Sequence, residues 1–356
     1  MTFERPNIAK MQGYTPGEQL TGDSVIKLNT NENPYPPSPA VKAALQAIDT
    51  AELRRYPPPS AAEFRAAAAS LHGVQPEQII ATNGGDELLR LVLTTYVDAG
   101  ETVVTTKPSY SLYPVLIDIQ DSKLVEVPLQ DNWDMPEDFI EQLNNHQAKL
   151  CLLVNPHAPT GKLLSAEFLA QVADGFNGLL LVDEAYADFI DPAQNYNSVH
   201  MALERNNVLL LRTMSKGYSL AGLRFGYGIG CESLINPMQS KTRDSYNTDL
   251  IAQRLATAAL NSVEYAQDTW SKVRSERESL AKQLSGLGFQ VAESQTNFLL
   301  CQVPDNFSAP EIYQSLKSHN ILVRYFDQDR LRDKLRISIG TAAENAALLE
   351  AIRNSL

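Results

Sequence analysis

Apolar runs of strand length recur between residues 78 and 211, and polar or helix-like segments separate most of them. The runs cover residues 78–81, 102–105, 124–127, 150–154, 179–182 and 208–211. Apolar strands that alternate with helical segments are typical of βαβ units, in which a mostly parallel sheet is buried. Residues 225–229 predict one more strand, for which an antiparallel orientation is open.

The pattern changes on both sides of this region. Residues 1–37 are rich in Pro, Gly and Asn and predict an irregular arm. After Asp249, a helical stretch to about residue 284 precedes strand-like runs at 288–303, 321–326 and 335–339, a helix at 311–318 and a closing helix from Ala342. We therefore predict an arm (1–37), a large α/β domain (38–248) and a small α+β domain (249–356).

The composition is that of an acidic globular protein. Of the 356 residues, 44% are hydrophobic and 20% charged, which is enough apolar material for a large core, and the net charge is −12. This charge argues against nucleic acids and anionic membranes as partners. Cys151, Cys231 and Cys301 are too few and too scattered for a disulfide framework. Because the sequence shows no signal-peptide pattern and no apolar run of bilayer length, we expect a cytoplasmic protein. Separately, we expect no metal site.

Polar, aromatic and glycine residues follow five of the predicted strands. They are the segment 82–87, Tyr110, the segment 155–161, the pair Asp183 and Tyr186, and the group Thr213, Ser215 and Lys216. Ligands of open α/β sheets bind at the carboxyl ends of the strands. The five strand ends therefore predict one composite site.

Each of these residues has an ordinary explanation when it is taken alone. A Gly-Gly turn is usually only a turn, Asp183 could cap a helix, and Tyr110 could be a core aromatic. Lys216 and Arg224 could lie on the surface. Together they offer the groups that hold pyridoxal phosphate, namely an amine for its aldehyde, a carboxylate for its ring nitrogen, and cations and backbone amides for its phosphate. We therefore expect this cofactor.

Short motifs spread over nearly the whole chain are similar to those of a known family. They are YTPGE (14–18), LNTNENPY (28–35), RYP (55–57), GGDE (84–87), NPHAPTG (155–161), DEAY (183–186), SK (215–216), AGLRFG (221–226), VRYF (323–326) and LRISIGT (335–341). The chain resembles the fold type I, pyridoxal-phosphate-dependent aminotransferases and, within them, the histidinol-phosphate branch. The resemblance implies a three-layer α/β/α domain with a smaller α+β domain. It also implies transamination between histidinol phosphate and 2-oxoglutarate, giving imidazole-acetol phosphate and glutamate, in histidine biosynthesis.

The resemblance also implies a role for each candidate residue. Lys216 forms the Schiff base and moves the substrate α-proton, Asp183 pairs with the ring nitrogen, and Tyr186 hydrogen-bonds the ring 3′-oxygen. The other cofactor contacts are assigned to Tyr110, which stacks on the ring, and to Gly84, Gly85, Asp86, Thr213, Ser215 and Arg224 around the phosphate. Tyr56 reaches the phosphate in the neighbouring subunit of a homodimer. Arg336 binds the substrate carboxylate, Arg324 the substrate phosphate, and Tyr14 and Asn31 lie in the arm that covers the substrate.

One position departs from the family pattern. The family usually has an asparagine directly before the Pro-Thr-Gly of segment 155–161, where its amide hydrogen-bonds the ring 3′-oxygen, and this chain has Ala158. Either Tyr186 alone suffices, or His157 or Asn155 supplies the missing donor. Asn155 is kept as a candidate cofactor ligand on that basis.

Other functions compete with the leading one. Among enzymes, an aromatic amino-acid aminotransferase and a pyridoxal-phosphate-dependent decarboxylase of phospho-amino acids would use a similar scaffold, and product analysis separates them. A regulatory domain that binds the same cofactor belongs to a different class. Such a regulator needs a DNA-reading helix-turn-helix module, which is usually basic, and this acidic chain begins almost at once with the arm.

Overall fold

The computed structural model describes residues 3–19 and 25–356 of the chain. Its strands are β1 Ile26–Lys27, β2 Ile79–Thr82, β3 Thr102–Lys107, β4 Lys123–Pro128, β5 Ala148–Val154, β6 Leu179–Asp183, β7 Val208–Thr213, β8 Gly226–Gly230, β9 Gln290–Val291, β10 Phe298–Gln302, β11 Ile321–Leu322, β12 Arg324–Tyr325 and β13 Lys334–Ser338. Its α-helices are α1 Pro39–Gln46, α2 Ala62–His72, α3 Gly84–Tyr96, α4 Leu112–Gln120, α5 Phe139–Asn145, α6 Ala166–Gly175, α7 Ser198–Leu203, α8 Glu232–Pro237, α9 Leu250–Leu260, α10 Val263–Gly286, α11 Ala309–Ser318 and α12 Ala342–Ser355.

Seven strands form the main sheet in the order β2-β8-β7-β6-β5-β3-β4. Neighbouring strands run parallel from β7 to β4, whereas β8 is antiparallel to both β2 and β7. Every residue of β6 is buried, and the strand is aliphatic up to its final Asp183, as expected where both faces of a sheet are covered. The predicted mostly parallel sheet is confirmed, and the strand expected near residues 225–229 is antiparallel.

Helices cover both faces of this sheet. Along β7, Leu209 and Leu211 pack into one hydrophobic core and Val208 and Leu210 into the other, because successive side chains of a strand point to opposite faces. The first core includes residues of α3 and α4, and the second includes residues of α2, α6, α7 and α9. The main sheet with its two helical layers is the α/β/α arrangement that the family resemblance implied.

A second, antiparallel sheet lies in the C-terminal part of the chain, with the strand order β12-β13-β10-β9. Nearby, β1 pairs in parallel with β11, with Ile26 opposite Ile321. The later part of the arm is therefore tied to the C-terminal part, and the described residues of the predicted arm are not wholly irregular. The division into an arm, a large domain and a small domain stays a prediction. Helix α9, assigned to the small domain, packs against α1 and α2.

Two of the predicted elements are interrupted. The helical stretch after residue 249 breaks at Asn261 and Ser262, where the Ser262 hydroxyl donates to the carbonyl of Ala258 at 2.9 Å. The strand predicted over residues 288–303 is divided into β9 and β10. Between them, the buried Ser294 hydroxyl donates to the Phe298 carbonyl at 2.7 Å, so a side chain satisfies a backbone group locally.

Candidate active site

A cavity of about 530 Å³ opens at the carboxyl ends of the central strands. Val154 of β5, Asp183 of β6 and Thr213 of β7 line its floor, and residues of the arm and of the C-terminal sheet complete its walls. This is the edge of the sheet where the polar strand ends were expected to meet.

Most of the predicted site residues line this one cavity. They are Tyr14, Asn31, Gly85, Asp86, Tyr110, Asp183, Tyr186, Thr213, Ser215, Lys216, Arg224, Arg324 and Arg336. Gly84, Tyr56 and Asn155 do not line it. Residues separated by more than 300 positions in sequence are thus brought together, and their individual roles stay predictions.

Lys216 lies just beyond β7 and is partly buried in the cavity. Its Nζ donates a hydrogen bond to the carbonyl of Thr30 at 2.8 Å. Burial, followed by the positive charge of Arg336, lowers the pKa of the Lys216 amine to about 8. A substantial neutral fraction near physiological pH is what a nucleophilic or proton-transferring lysine needs.

The residue after Lys216 is anchored by groups that the sequence did not single out. The Gly217 carbonyl accepts hydrogen bonds from Trp270 Nε1 at 2.7 Å and from Asn33 Nδ2 at 3.2 Å. A Cβ atom at Gly217 would collide with the carboxylate of Asp188. Glycine is therefore required here, and the backbone that carries Lys216 is fixed from two sides.

Asp183 ends β6 and is only 5% exposed. Its Oδ2 accepts a hydrogen bond from the Tyr113 hydroxyl at 2.9 Å, and its Oδ1 accepts one from the Ala185 amide at 3.1 Å. Burial raises the pKa of the Asp183 carboxyl to about 6, and these two hydrogen bonds oppose the rise. Tyr113 is missing from the sequence-based site because an aromatic residue inside a helix normally indicates a core position.

The Tyr186 hydroxyl accepts a hydrogen bond from Asn31 Nδ2 at 3.0 Å. The Oδ1 atom of Asn31 accepts from the Ser338 hydroxyl at 3.0 Å, and its backbone has a φ of 56°, which asparagine tolerates better than most residues. Asn31 was expected to cover the substrate. It also joins the arm to Tyr186 and leaves the phenolic proton of Tyr186 free to donate into the cavity.

The start of α3 and Arg224 form a cradle suited to an anion. The first amides of the helix, beginning at Gly84, lack partners in the preceding turn and carry the positive end of the helix dipole. Arg224 Nη2 donates to Asp86 Oδ2 at 3.0 Å, and its Nη1 lies 3.4 Å from the Ser215 hydroxyl. A Cβ atom at Gly84 would lie 2.8 Å from Arg224 Nη2, so any other residue would fill this space. Gly84 therefore supports the cradle without lining the cavity.

Two neighbouring arginines line the same cavity. Arg324 of β12 pairs in register with Arg336 of β13, which places two positive charges next to each other. Arg336 Nη2 donates to the Asn29 carbonyl at 2.9 Å, whereas its buried Nε has no hydrogen-bond partner among the described residues. Burial lowers the pKa of Arg336, with Arg324 adding to the effect. An anionic ligand would reduce the repulsion between the two guanidinium groups and would accept a hydrogen bond from Arg336 Nε.

The prediction for Asn155 is corrected by its surroundings. Its amide donates to the Leu164 carbonyl at 3.0 Å and the Tyr196 hydroxyl at 2.9 Å, and its Oδ1 accepts from the Leu164 amide at 2.7 Å. His157 is buried and bonds to Thr160 at 2.8 Å. Both side chains have hydrogen-bond partners within the protein, and neither lines the cavity with Ala158. Of the residues considered for the hydrogen bond to the ring 3′-oxygen, Tyr186 is the one whose side chain lines the cavity.

Tyr56 lies outside the cavity and is 80% exposed. Its ring stacks on that of Tyr246 with a centroid distance of 4.4 Å. Its predicted contact with the cofactor of a neighbouring subunit stays a prediction. Across residues 3–19 and 25–356, no group of three or more His, Cys, Asp or Glu could hold a metal ion, and no helix is long and apolar enough to cross a membrane.

Comparison with known proteins agrees with this geometry over the full chain. The family model "Aminotransferase class I and II" matches residues 23–352. The chain is 42% identical over 355 residues to histidinol-phosphate aminotransferase 1 of Trichormus variabilis, covering 99% of each chain. It is 41% identical over 353 residues to the histidinol-phosphate aminotransferase of Rhodopirellula baltica, covering 99% of this chain and 95% of that one.

A solved structure has the same fold. The crystal structure of histidinol-phosphate aminotransferase from Sinorhizobium meliloti in complex with pyridoxal-5′-phosphate matches with a TM-score of 0.89 and 26% identity, covering 100% of this chain and 99% of that one. The predicted α/β fold and the resemblance to the histidinol-phosphate branch are confirmed. The chain belongs to the class I and II aminotransferases.

Proposed function

We propose that this chain transfers the amino group of histidinol phosphate to 2-oxoglutarate, giving imidazole-acetol phosphate and glutamate. The observation that carries the proposal is the presence in one cavity of Lys216 and of the adjacent Arg324 and Arg336. The names of the full-length relatives support the same reaction. The two arginines suit substrates that share an anionic group and differ in most other respects.

The described residues fit pyridoxal phosphate. The amides at the start of α3, Ser215 and Arg224 would hold its phosphate, in the space that Gly84 keeps open. Tyr110 would stack on the ring, and Tyr186 would donate to the 3′-oxygen. When bound, the cofactor supplies an aldehyde for the amino group and a ring that accepts the electron pair left by the departing α-proton.

Lys216 is the proposed proton carrier. Its Nζ would hold the cofactor aldehyde and, as a free amine, would take the substrate α-proton and deliver it to C4′, the former aldehyde carbon of the cofactor. An amine with its pKa lowered to about 8 is a base of suitable strength near neutral pH. The Thr30 carbonyl, 2.8 Å from Nζ, keeps the amine directed into the cavity.

Asp183 and Tyr186 would tune the ring from two sides. An ionised Asp183 holds a proton on the ring nitrogen, which strengthens the ring as an electron acceptor. The hydrogen bond from Asn31 fixes the Tyr186 hydroxyl so that its proton points to an acceptor in the cavity. Ala158 adds no donor here, so Tyr186 is proposed to serve the 3′-oxygen alone.

Substitutions of the two arginines are expected to weaken the binding of different substrates. Arg336→Lys should raise the Kd of glutamate roughly tenfold, since an ammonium cannot reproduce a planar two-point contact. Arg324→Ala should weaken histidinol phosphate roughly 10- to 100-fold and histidinol much less, because a charge-assisted hydrogen bond to phosphate is lost. Binding is measured by titrating the cofactor absorbance with each ligand.

Arg332→Ala provides the control for these variants. Arg332 lies on the same segment, is exposed and pairs with Asp327 outside the cavity. It should leave both affinities unchanged. Equal losses for histidinol phosphate and histidinol in the Arg324→Ala variant would remove Arg324 from the phosphate site.

The substrate assignment is tested by single half-reactions of the purified enzyme. Histidinol phosphate, phenylalanine and a phospho-amino acid are mixed in turn with the cofactor-loaded protein, and the absorbance of the lysine-bound cofactor is followed. We expect this absorbance to fall fastest with histidinol phosphate, and we expect the product to be a ketone with no release of carbon dioxide. Faster discharge by phenylalanine would favour an aromatic aminotransferase, and release of carbon dioxide from the phospho-amino acid would favour a decarboxylase.

We also propose that the active unit is a homodimer in the cytoplasm. An exposed stack of Tyr56 on Tyr246 is unusual for a surface that remains in water, and it supports an interface with a second copy. Cys151, Cys231 and Cys301 are all free thiols, which supports a reducing compartment. In this dimer, Tyr56 would complete the phosphate site of the neighbouring subunit.

Mixed dimers provide the test of a shared site. In a heterodimer of a Tyr56→Phe chain and a Lys216→Ala chain, one site carries both changes and the other carries neither. We expect cofactor affinity of the wild-type level at about half of the heterodimer sites, as a two-fold interface requires. If the mixture gains nothing over the separate variants after proven subunit exchange, Tyr56 serves its own chain.

A further inference from the structure

Tyr113 contacts two residues of the cavity lining, Asp183 and Tyr110, but does not line the cavity itself. It lies on α4, is fully buried, and does not belong to the cavity lining. Its hydroxyl donates to Asp183 Oδ2 at 2.9 Å. Its ring also meets that of Tyr110 edge to face, with centroids 5.5 Å apart. One side chain of α4 is therefore in contact with both the residue proposed for the ring nitrogen and the residue proposed to stack on the ring.

The hydrogen bond from Tyr113 offsets part of the cost of burying the ionised Asp183 carboxylate. A carboxylate without access to water is stable only where hydrogen bonds or opposite charges compensate its lost hydration. The carboxylates of Asp86 and Glu184 add repulsion. Within the described residues, Asp183 takes part in no salt bridge, and its two hydrogen bonds come from Ala185 and Tyr113. The Ala185 donor is a backbone amide, so Tyr113 supplies the one side-chain donor of the two.

We propose that Tyr113 is a positioning residue for Asp183, whose hydroxyl keeps the buried carboxylate ionised and fixed in orientation toward the cofactor ring nitrogen. The proposal rests on the role given to Asp183 in the proposed function. Without the donor, the carboxylate becomes a stronger base and competes with the ring nitrogen for the proton that they share. Tyr113 thereby decides where that proton resides, although it touches neither substrate nor cofactor.

A role in packing alone is the competing explanation, and the chain offers a matched control for it. Tyr196 also donates to a buried carboxylate, Glu184 Oε1, at 2.5 Å. Glu184 follows Asp183 directly, but neither Glu184 nor Tyr196 lines the cavity. Tyr196→Phe and Tyr113→Phe therefore remove the same kind of hydrogen bond from adjacent carboxylates, and only one of them faces the proposed ring site.

The test uses the full-length protein with and without pyridoxal phosphate. Without cofactor, carboxyl ¹³C signals are titrated, and the signal of Asp183 is identified by its loss in Asp183→Asn. Tyr113→Phe should raise the midpoint of this signal by about one pH unit, the size expected for a charge-assisted hydrogen bond. In the holoenzyme, the ¹⁵N shift of the labelled ring nitrogen should move toward that of a neutral pyridine, with a fall in kcat of up to about tenfold.

Tyr196→Phe should leave the Asp183 midpoint and the ring ¹⁵N shift unchanged. A second variant carries 3-fluorotyrosine at position 113, which preserves the shape and makes the phenol a stronger donor. It should lower the Asp183 midpoint, and it decides the question if Tyr113→Phe does not fold. Unchanged midpoints in both Tyr113 variants would overturn the proposal.

Different results would exclude the role of Asp183 and the role of Tyr113. If Asp183→Asn does not alter the ring ¹⁵N shift, the role of Asp183 in the proposed function fails. The carboxyl titration without cofactor still reports on the Tyr113 contact in that case. If Asp183→Asn alters the ring signal but Tyr113→Phe alters neither signal, only the inference about Tyr113 is wrong.

Discussion

Replacing Lys216 with alanine is expected to lower the rate of transamination by roughly four orders of magnitude or more, because one amine serves as both covalent partner and proton carrier. Cofactor binding should survive in weakened form, since the cradle of Arg224, Ser215 and the α3 amides is untouched. The rate is measured in single turnovers with histidinol phosphate. A rate within tenfold of the wild type would contradict the role of Lys216.

The same change carries a stability prediction with a defined sign. The native pKa of Lys216 is lowered from 10.5 to about 8, so the unfolded chain binds more protons than the native protein between these values. The stability of the cofactor-free wild type should therefore rise, relative to Lys216→Ala, as the pH increases from 8 to 10.5. Below pH 8, the variant should be at least as stable, because it no longer buries a charged amine.

Thermal melting of the cofactor-free proteins between pH 7 and 10.5 measures this difference. Lys282→Ala is the matched control, since Lys282 lies exposed on α10 and outside the cavity. Its melting temperature should run parallel to that of the wild type across the range. A Lys216→Ala variant that loses stability at pH 7 would show that the lysine supports the fold and is not a destabilising buried base.

The main sheet could be predicted because its strands are buried on both faces. Such strands form continuous aliphatic runs, and β6 needs no alternating pattern to be recognised. The direction of β8 could not be predicted, because the sequence GYGIG is equally suited to both orientations. The breaks at Ser262 and Ser294 depend on hydroxyls that bond to nearby backbone groups, and a hydropathy pattern does not show them.

The candidate site was predictable in its strand ends and not in its supports. Asp183, Thr213 and Lys216 follow strands that meet at one edge, so the chain order alone placed them together. The contact of Lys216 with Thr30 spans 186 positions, and no local pattern contains it. Asn155 shows the converse error, since a polar residue at a strand end can be consumed by its own loop.

The supports matter because two of them hold groups in unfavourable states. Gly217 is pinned by Trp270 and Asn33 directly beside the buried lysine, and Tyr113 bonds to a buried carboxylate. Burying an amine and a carboxylate without a direct ion pair to each other costs stability, and the surrounding packing must offset it. The active site is therefore expected to be a local cost to the fold, which activity and stability measurements on one variant can separate.

Asp183→Asn is expected to show this separation most clearly. The amide cannot hold a proton on the ring nitrogen as a carboxylate does, so kcat should fall by at least about 100-fold, roughly 2.7 kcal/mol of barrier. A fall of less than about tenfold would remove Asp183 from this role. Cofactor content, measured by absorbance after gel filtration, should remain near that of the wild type because the phosphate contacts are retained.

Stability should change in the opposite direction to activity. The native pKa of Asp183 is raised from 3.8 to about 6, so the native protein binds more protons than the unfolded chain between these values. Wild-type stability is therefore lost as the pH rises through this window, and the variant has no such loss. Without cofactor, Asp183→Asn should melt at the same or a higher temperature than the wild type at pH 7.5, with a smaller advantage at pH 4.5.

Glu184→Gln is the contrasting variant, because Glu184 is equally buried and lies next in the chain. Its Oε2 accepts from Arg212 Nε at 2.6 Å, so here the carboxylate has a cationic partner that the amide would leave uncompensated. We expect Glu184→Gln to lower the melting temperature while kcat falls less than in Asp183→Asn. If both variants lost stability alike, Asp183 would also stabilise the fold, and the expected separation of activity from stability would be wrong.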